Sequence, residues 1–331
     1  MNALRVLRRK MMTPPRSATR LEVRGFHDKS PEARELLERV GGTFLDGYGF
    51  AAQAPAPDAA VAPLEEVPTR FRGFAYEGAA MAFAVRDGLR PGGGHNVERF
   101  LAGAAADHLY MAYVGVGWAM ARLPRIRWST LHAPDPLLRW LVLDGYGFHQ
   151  AYFRTERYVY DRYEDPSIPW RDPTARYYAS RATDQGIGRA LWFIGGTDVD
   201  VVASLVERYS RRRRADLYSG VGLAATYAGG ATEAELTALC AHAQDYLPQL
   251  AQGAAFGAAA RARANLVVPH NEMATQIFCG RSVAAAQAVT DEARVDLPAD
   301  GLVPAYEIWR QRIAAALVPS SHYATIGEES R

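Results

Sequence analysis

The sequence predicts an all-α protein built from about seven helix-turn-helix repeats of about 34 residues each. A short glycine-containing segment recurs seven times, and its flanks show the apolar spacing of amphipathic helices. The alternating pattern of strands is nearly absent. Stacked repeats of this kind form either a curved solenoid or a closed α/α toroid.

The repeated segment carries Gly-x-Gly or Gly-x-Ala inside an apolar, aromatic-rich stretch. Its seven copies are residues 45–50, 76–81, 113–118, 143–148, 184–189, 218–223 and 251–256. The first glycines of successive copies are 30 to 41 residues apart, with a mean of about 34. That spacing is the length of one helix-turn-helix unit.

The glycines of these segments need a structural or functional reason. Each glycine inside a helix costs about 1 kcal/mol relative to alanine. The seven segments contain twelve such glycines, so their summed cost would be comparable with the whole stability of a domain. Close packing between helices could offset this cost, and so could the approach of the backbone to a ligand in a narrow site. The glycines alone leave both explanations open.

Local signals around the segments also predict helices. Residues 198–209 place Val199, Val202, Leu205 and Val206 on one helical face. Thr232 and Glu235 have the spacing of a capping box that opens a further helix. Residues 154–172, which are rich in Tyr, Arg and Pro, are predicted to form a long loop.

Length and charge suggest three regions in the 331-residue chain. They are a basic arm over residues 1–20, a helical repeat domain over 21–295, and a C-terminal helix with a flexible tail over 296–331. The arm is predicted to be solvated, with a membrane or partner contact as the alternative. A net charge of +2 gives no reason to expect nucleic acid as a partner. No apolar run is long enough to span a membrane, and the expected location is the cytoplasm.

Polar residues precede the repeat glycines too often to be ignored. They are Asp46, Glu77, Asp144, Gln185, Ser219 and Gln252, with Asp184 one residue earlier in its segment. Equivalent positions in stacked repeats point to one face, so these groups could line a cleft beside aromatic side chains. The alternative is that they cap helices or pair with Arg72, Arg122, Arg139 and Arg189.

Two sets of candidate site residues follow from this pattern. The catalytic candidates are Glu77, Asp144, Asp184 and His149. The candidates for substrate binding are Tyr76, Trp118, Phe148, Trp192, Gln185 and Gln252. No metal site is predicted, because the spacing of Cys240, His242, His270 and Cys279 matches no compact ligand pattern. The four adjacent arginines at 211–214 are predicted to form a solvated turn, with an anion or carrier-protein patch as the alternative.

Five stretches also match a known family in order. They are residues 70–85, 144–153, 184–193, 216–230 and 250–256. Together they resemble the UnbL-type enediyne biosynthesis proteins, also called domain of unknown function 1702, from about residue 20 to 295. The resemblance implies a setting beside an iterative polyketide synthase that makes a linear polyene. It also implies action with companion proteins in turning that polyene into the enediyne core. It does not identify catalytic residues or a cofactor.

Three functions remain open at this point. The chain could be an accessory protein or enzyme that binds a hydrophobic polyene or polyketide intermediate and helps form the core. It could instead be a non-catalytic solenoid scaffold that docks the polyketide synthase and other pathway proteins, or a toroidal helical cyclase. A deep apolar cavity lined by Glu77, Asp144 and Asp184 would favour chemistry. A filled interior with a large outer apolar patch would favour a scaffold.

Overall fold

The computed structural model describes residues 3–166, 168–169 and 176–317, and these residues contain helices and no strand. In chain order the α-helices are α1 (Ala3–Met12), α2 (Leu21–Arg24), α3 (Pro31–Gln53), α4 (Val61–Glu65), α5 (Thr69–Leu89), α6 (Asn96–Ala102), α7 (Leu109–Arg122), α8 (Trp140–Phe153), α9 (Tyr178–Ile194), α10 (Val199–Glu207), α11 (Arg211–Ala228), α12 (Glu233–His242), α13 (Leu247–Arg263), α14 (Pro269–Cys279), α15 (Val283–Glu292) and α16 (Ala305–Leu317). The prediction of an all-α protein is confirmed.

Each of the seven glycine-containing segments lies in its own helix. The seven glycine helices are α3, α5, α7, α8, α9, α11 and α13. Each packs against the next one in this order, and these six pairings are the most extensive helix contacts among the described residues. The other helices lie outside this row or at its ends.

All the repeat glycines except Gly49, which faces the Arg9 side chain, are points where neighbouring glycine helices touch. A methyl group on Gly186 would overlap the carbonyl oxygen of Asp144 in α8, and one on Gly220 would overlap that of Gln185 in α9. Comparable overlaps with backbone atoms occur at glycines of all seven helices. Close helix packing is therefore the reason for these glycines, because only a residue without a Cβ permits this approach.

The two-helix repeat is regular in only part of the chain. One short α-helix, α10, joins α9 to α11, and α12 lies between α11 and α13. Between α7 and α8 there is only a 3₁₀ turn, Arg125–Thr130, in a stretch that Pro124, Pro134 and Pro136 keep from forming an α-helix. The predicted loop at 154–172 opens with a π-helical turn, Glu156–Tyr160, and its residues 167 and 170–172 lie outside the described residues.

The local helix predictions around α10 and α12 are confirmed. Helix α10 begins after Asp198, whose carboxylate accepts hydrogen bonds from the backbone N–H groups of two following residues. Its buried residues include all four predicted ones: Val199, Val202, Leu205 and Val206. Thr232 and Glu235 form both hydrogen bonds of the predicted capping box at the start of α12.

The two ends of the described chain both pack against the glycine helices. Helix α1 contacts α3, and α16 contacts α13 and α15. Helix α16 lies within the region 296–331 and buries Tyr306, Trp309, Arg310 and other residues. The predicted flexible tail falls on residues 318–331, which lie outside the described residues. No helix in the described part of the chain combines the length and apolarity needed to cross a membrane.

Candidate functional site

A cavity of about 450 Å³ is enclosed by six of the glycine helices and by residues 11–19. The helices are α3, α5, α7, α8, α9 and α11. A volume of this size lies within the range of roughly 300–1,000 Å³ that small-molecule sites occupy. Much of the wall is aromatic and includes Phe44, Phe74, Trp118, Phe148, Tyr152 and Phe193. The space between these helices is therefore open, whereas a purely structural core would be closely packed.

One position of the repeat supplies a side chain to this wall from nearly every helix. It is the third residue after the first glycine of each segment. In the main cavity it gives Met81, Trp118, Phe148, Arg189 and Leu223. In the last segment it gives Phe256, which lines an adjoining cavity of about 30 Å³. Arg189 is the one charged residue at a position that is otherwise apolar or aromatic.

Arg189 lies between two buried carboxyl groups. Its Nη1 donates a hydrogen bond to Asp144 Oδ1, and its Nη2 lies 3.9 Å from Glu77 Oε1. Its guanidinium also lies 5.2 Å from the centre of the Phe148 ring. Glu77, Asp144 and Arg189 come from α5, α8 and α9, so three helices bring one cation and two acids together.

Glu77 is the carboxyl group that faces the main cavity. No atom of the described residues makes a hydrogen bond to Glu77 Oε1, although the residue is only 3% exposed. Burial, followed by the charge of Asp144, raises its pKa to about 7, against the opposing effects of Arg189 and the Trp118 indole. Burial also raises the pKa of Asp144, although Arg189 donates a hydrogen bond to that carboxyl group and lowers its pKa in part.

His149 and Trp118 lie beside this carboxyl group in the cavity wall. Burial, with a further effect of Arg122, lowers the pKa of His149 to about 3, so its ring is neutral at pH 7. Its Nδ1 and the indole Nε1 of Trp118 have no hydrogen-bond partner within the described part of the chain. The two rings are 5.6 Å apart, edge to face. We call Glu77, Trp118, Asp144, His149 and Arg189 the Glu77 cluster.

Asp184 lies away from the cavity, in a fully paired site. The guanidinium of Arg213 donates to both of its carboxylate oxygens, and Nε lies 2.9 Å from Oδ2. Burial raises the pKa of Asp184 to about 6 even with this partner. The prediction of a solvated turn at 211–214 is therefore wrong: the four arginines lie in α11, and Arg213 is buried against this acid.

Tyr76 and Trp192 also lie outside the cavity wall. The Tyr76 hydroxyl donates to Glu65, and its ring stacks on His108 at 3.6 Å between centres. The Trp192 indole donates to the carbonyl oxygen of Gly229 at 2.9 Å. Of the predicted binding residues, Trp118 and Phe148 line the cavity.

Gln185 and Gln252 are bound by the last helix, α16. Tyr306 donates to Gln185 Oε1 at 3.2 Å, and Arg310 donates to Gln252 Oε1 at 3.1 Å. Arg310 also donates to Asp216 and to the hydroxyl oxygen of Tyr178. A buried polar site therefore joins α16 to α9, α11 and α13.

The acids of this site are fully paired. Glu307 of α16 accepts a hydrogen bond from the Tyr178 hydroxyl, and Arg181 lies 3.0 Å from its other carboxylate oxygen. Both oxygens of Asp216 also accept from arginine side chains. We call Tyr178, Asp216, Gln252, Glu307 and Arg310 the Arg310 cluster.

A protein-family model matches residues 3–317, and its printed description is protein of unknown function (DUF1702). The chain belongs to the DUF1702 family. The match begins at residue 3 and ends at 317, so the expected limits of about 20 and 295 were too narrow. No curated protein and no solved structure matches the chain.

The extended match fits the packing of this DUF1702 member. Residues 11–19 form part of the cavity wall, and α16 supplies Arg310 to the second cluster. Both segments lie outside residues 21–295. The family model therefore includes the parts of the chain that complete the cavity and the buried polar contacts.

Metal-ligating groups do not cluster in the described part of this DUF1702 member. No three His, Cys, Asp or Glu side chains there lie close enough together to hold a metal ion. The thiols of Cys240 and Cys279 are free, and burial raises their pKa to about 11 and about 12.

Several cavity residues were not predicted from the sequence. The sequence indicates Arg189 only as an ion-pair partner, gives no indication of Tyr227, and places residues 11–19 in an arm expected to be solvated. The third position after each first glycine would have indicated Arg189, since it also gives Trp118 and Phe148. No local pattern indicates residues 11–19, because a separate helix brings them to the cavity.

Proposed function

We propose that this protein binds a long apolar, conjugated polyene in the cavity beside Glu77 and helps to form the core of an enediyne-type product. The single observation that carries the binding part is that Oε1 of the buried Glu77 carboxyl group has no hydrogen-bond partner among the described residues, while this carboxyl group lines an aromatic cavity of about 450 Å³. Buried polar groups are normally hydrogen-bonded, so this one is suited to a ligand atom. The pathway part rests on the resemblance to the enediyne proteins.

The aromatic wall suits a flat conjugated chain. Phe44, Trp118 and Phe148 form a continuous row, with ring centres 4.4 and 5.0 Å apart. Phe193 extends the row at 5.3 Å from Phe148. These rings can stack on a conjugated ligand or contact it edge to face, and they exclude water from it.

Glu77 gives this site its chemistry. A carboxyl group with a pKa near 7 is largely protonated just below neutral pH, so it donates a hydrogen bond to a carbonyl or hydroxyl oxygen of the ligand. When it releases the proton, Arg189 stabilises the resulting carboxylate at 3.9 Å. The ligand class is therefore an apolar conjugated chain with an oxygen at its inner end.

We also propose that the seven glycine helices curve around the cavity. The support is that residues from helices far apart in the row lie close together. The rings of Phe74 in α5 and Tyr227 in α11 are 5.2 Å apart, and Arg261 in α13 donates to the carbonyl oxygen of Arg70 in α5. A curved solenoid and a closed toroid both fit these contacts.

Infrared difference spectroscopy with a conjugated polyene ketone tests the binding and the role of Glu77. With the wild-type protein we expect one bound ketone and a carbonyl stretch shifted to lower frequency by the Glu77 hydrogen bond. Glu77→Leu should bind the ketone without this shift, whereas Glu98→Leu, which removes an exposed acid on α6, should keep it. An unshifted band in the wild type, or the same shift in Glu77→Leu, would contradict the proposal.

The pathway part needs a separate reconstitution. A polyene-forming polyketide synthase and its companion proteins would be incubated with and without this protein, and the products compared by mass spectrometry. We expect a later product that depends on the protein and is lost in Glu77→Leu but retained in Glu98→Leu. Identical products with and without the protein would exclude this role while leaving the binding result intact.

A further inference from the structure

The first helix, α1, presents apolar side chains to the outside. Leu4, Leu7 and Met11 follow the helical spacing i, i+3, i+7 and therefore share one face. Leu7 is 51% exposed and Met11 is 77% exposed, and α1 contains no buried residue. An amphipathic helix on a globular protein normally turns its apolar face inward.

Polar contacts attach α1 to the protein. The Arg8 guanidinium donates to the carbonyl oxygens of Gln53 and Ala54 at the end of α3. Arg9 donates to the side-chain oxygen of Gln53 at 3.0 Å. These acceptors are uncharged, so both arginines keep their net positive charge. They also lie at the helix end where the α3 dipole favours cations.

Positive charge is concentrated around this helix. Residues 3–21 contain six basic residues and no acidic one, whereas the rest of the chain contains 32 basic and 36 acidic residues. Arg5 and Lys10 of α1 are exposed. An exposed apolar stripe among cations matches an anionic lipid surface, where acyl chains take up the apolar side chains and headgroups attract the cations.

The same segment forms part of the cavity wall. Met11, Met12, Thr13, Pro14 and Pro15 all line the main cavity. The end of α1 is therefore both the outer apolar surface and the inner boundary of the cavity. A lipid surface that holds α1 would lie next to the cavity.

We propose that α1 binds an anionic lipid bilayer as an interfacial helix and so places the cavity next to the membrane surface. The helix lies in the headgroup region with Leu7 and Met11 inserted among the acyl chains. An apolar ligand dissolved in the bilayer then reaches the cavity past residues 11–15 without crossing water. Lipid binding itself does not depend on the function proposed for Glu77.

Vesicle flotation with the full chain tests this proposal. Wild-type protein should float with vesicles that contain phosphatidylglycerol and should remain unbound with vesicles of phosphatidylcholine alone. Leu7→Ser with Met11→Ser should abolish flotation. The control Ile126→Ser removes another exposed apolar side chain, 85% exposed on the turn Arg125–Thr130, and should float like the wild type. Arg5→Gln and Lys10→Gln should each weaken binding about fivefold, which corresponds to about 1 kcal/mol per cation.

Thermal unfolding followed by circular dichroism should give the same melting temperature for all these variants, because the replaced side chains are exposed. Three results would overturn the proposal: no flotation of the wild type, equal binding to neutral and anionic vesicles, or unchanged flotation of the double serine variant. A dimer that dissociates in the double serine variant, without any vesicle binding, would assign the apolar face of α1 to a second copy of the chain instead.

Discussion

The Arg310 cluster and the Glu77 cluster are two buried polar sites of similar composition whose carboxyl groups differ in how completely they are paired. In the Arg310 cluster, both oxygens of Asp216 and both oxygens of Glu307 have polar partners at 2.6 to 3.3 Å. In the Glu77 cluster, Glu77 Oε1, Asp144 Oδ2, Trp118 Nε1 and His149 Nδ1 lack any hydrogen-bond partner among the described residues. The Arg310 cluster has one such atom, Gln252 Nε2, and none of its residues lines the main cavity, whereas Glu77 does.

This difference separates polar groups that serve the fold from groups that are available to a ligand. A buried charge is tolerated when it is paired, and its partners then belong to the structure. Buried donors and acceptors that remain unpaired cost about 1–3 kcal/mol each, so several of them around one cavity indicate that something else satisfies them. The carboxyl groups of the two clusters are equally buried, and pairing is what distinguishes them.

The largest effect should follow from breaking the Arg310 cluster. Arg310→Met removes the cation that Asp216 and Glu307 share with Arg181, and leaves both acids buried with less compensation. We expect a loss of about 3–5 kcal/mol in the free energy of unfolding, measured by urea denaturation. Arg211→Met, which replaces an exposed arginine at the start of α11, should change it by less than about 0.5 kcal/mol. Equal values for the two variants would show that the Arg310 cluster does not hold α16.

For Glu77 we expect the opposite effect on the free energy of unfolding: a replacement should raise it relative to wild type as the pH rises. Its pKa is about 7 in the folded protein and 4.5 in an unperturbed chain. Between these values the folded state keeps a proton that the unfolded state has lost, so wild-type stability should fall as pH rises from about 4.5 to about 7. Glu77→Gln removes this dependence. Its stability relative to wild type should therefore rise by on the order of 3 kcal/mol across this window.

Urea denaturation of both proteins at a series of pH values measures this difference. Other titrating groups are common to the two proteins and largely cancel. A difference that does not change with pH would mean that Glu77 is already ionised and paired, like the acids of the Arg310 cluster, and the contrast between the clusters would be lost.

A smaller effect should come from the glycine contacts that hold both clusters in place. Gly186→Ala puts a methyl group onto the carbonyl oxygen of Asp144 and should cost about 1–3 kcal/mol of unfolding free energy. Gly42→Ala, in α3, meets only the end of the Arg16 side chain at 3.7 Å. It should be neutral or stabilising by up to about 1 kcal/mol. Thermal melts of the two variants that shift by the same amount would contradict the packing explanation.

The helical architecture could be predicted from the sequence because its signals are local. The spacing of glycines such as Gly186 and Gly220 follows from contacts repeated between neighbouring helices, and the Thr232 capping box needs only four residues. The long loop between α8 and α9 was predicted from residues 154–172, but the connection of α7 to α8 by a 3₁₀ turn was not. There the glycine spacing persists although no α-helix intervenes.

The candidate site could be predicted only in part. The structure brings Glu77, Trp118, Phe148 and His149 together in the wall of the main cavity, because they occupy one face of the repeated segments. Asp184 was grouped with them, but it precedes its glycine by two residues rather than one and points to Arg213. Whether an acid faces the cavity or an arginine depends on ion pairs between residues far apart in the chain. A repeat pattern carries no information about such pairs.

The role of α16 could not be predicted from the sequence either. Gln185 and Gln252 occupy the same repeat position as Glu77, yet α16 covers them with Tyr306 and Arg310. One row of equivalent positions is thus divided between the main cavity and a packed interface. Only the tertiary position of the last helix decides which residues belong to each.

The most direct test of the contrast between the clusters is a fluorescence titration with parinaric acid, a conjugated polyene whose emission rises in apolar surroundings. We predict binding of one molecule per chain. We also predict its loss in Ala224→Trp, which fills the main cavity from α11, and its retention in Ala316→Trp, which adds the same side chain to the exposed side of α16. Absence of binding by the wild type, or equal binding by both tryptophan variants, would contradict the claim that the unpaired groups around Glu77 mark a ligand-binding cavity.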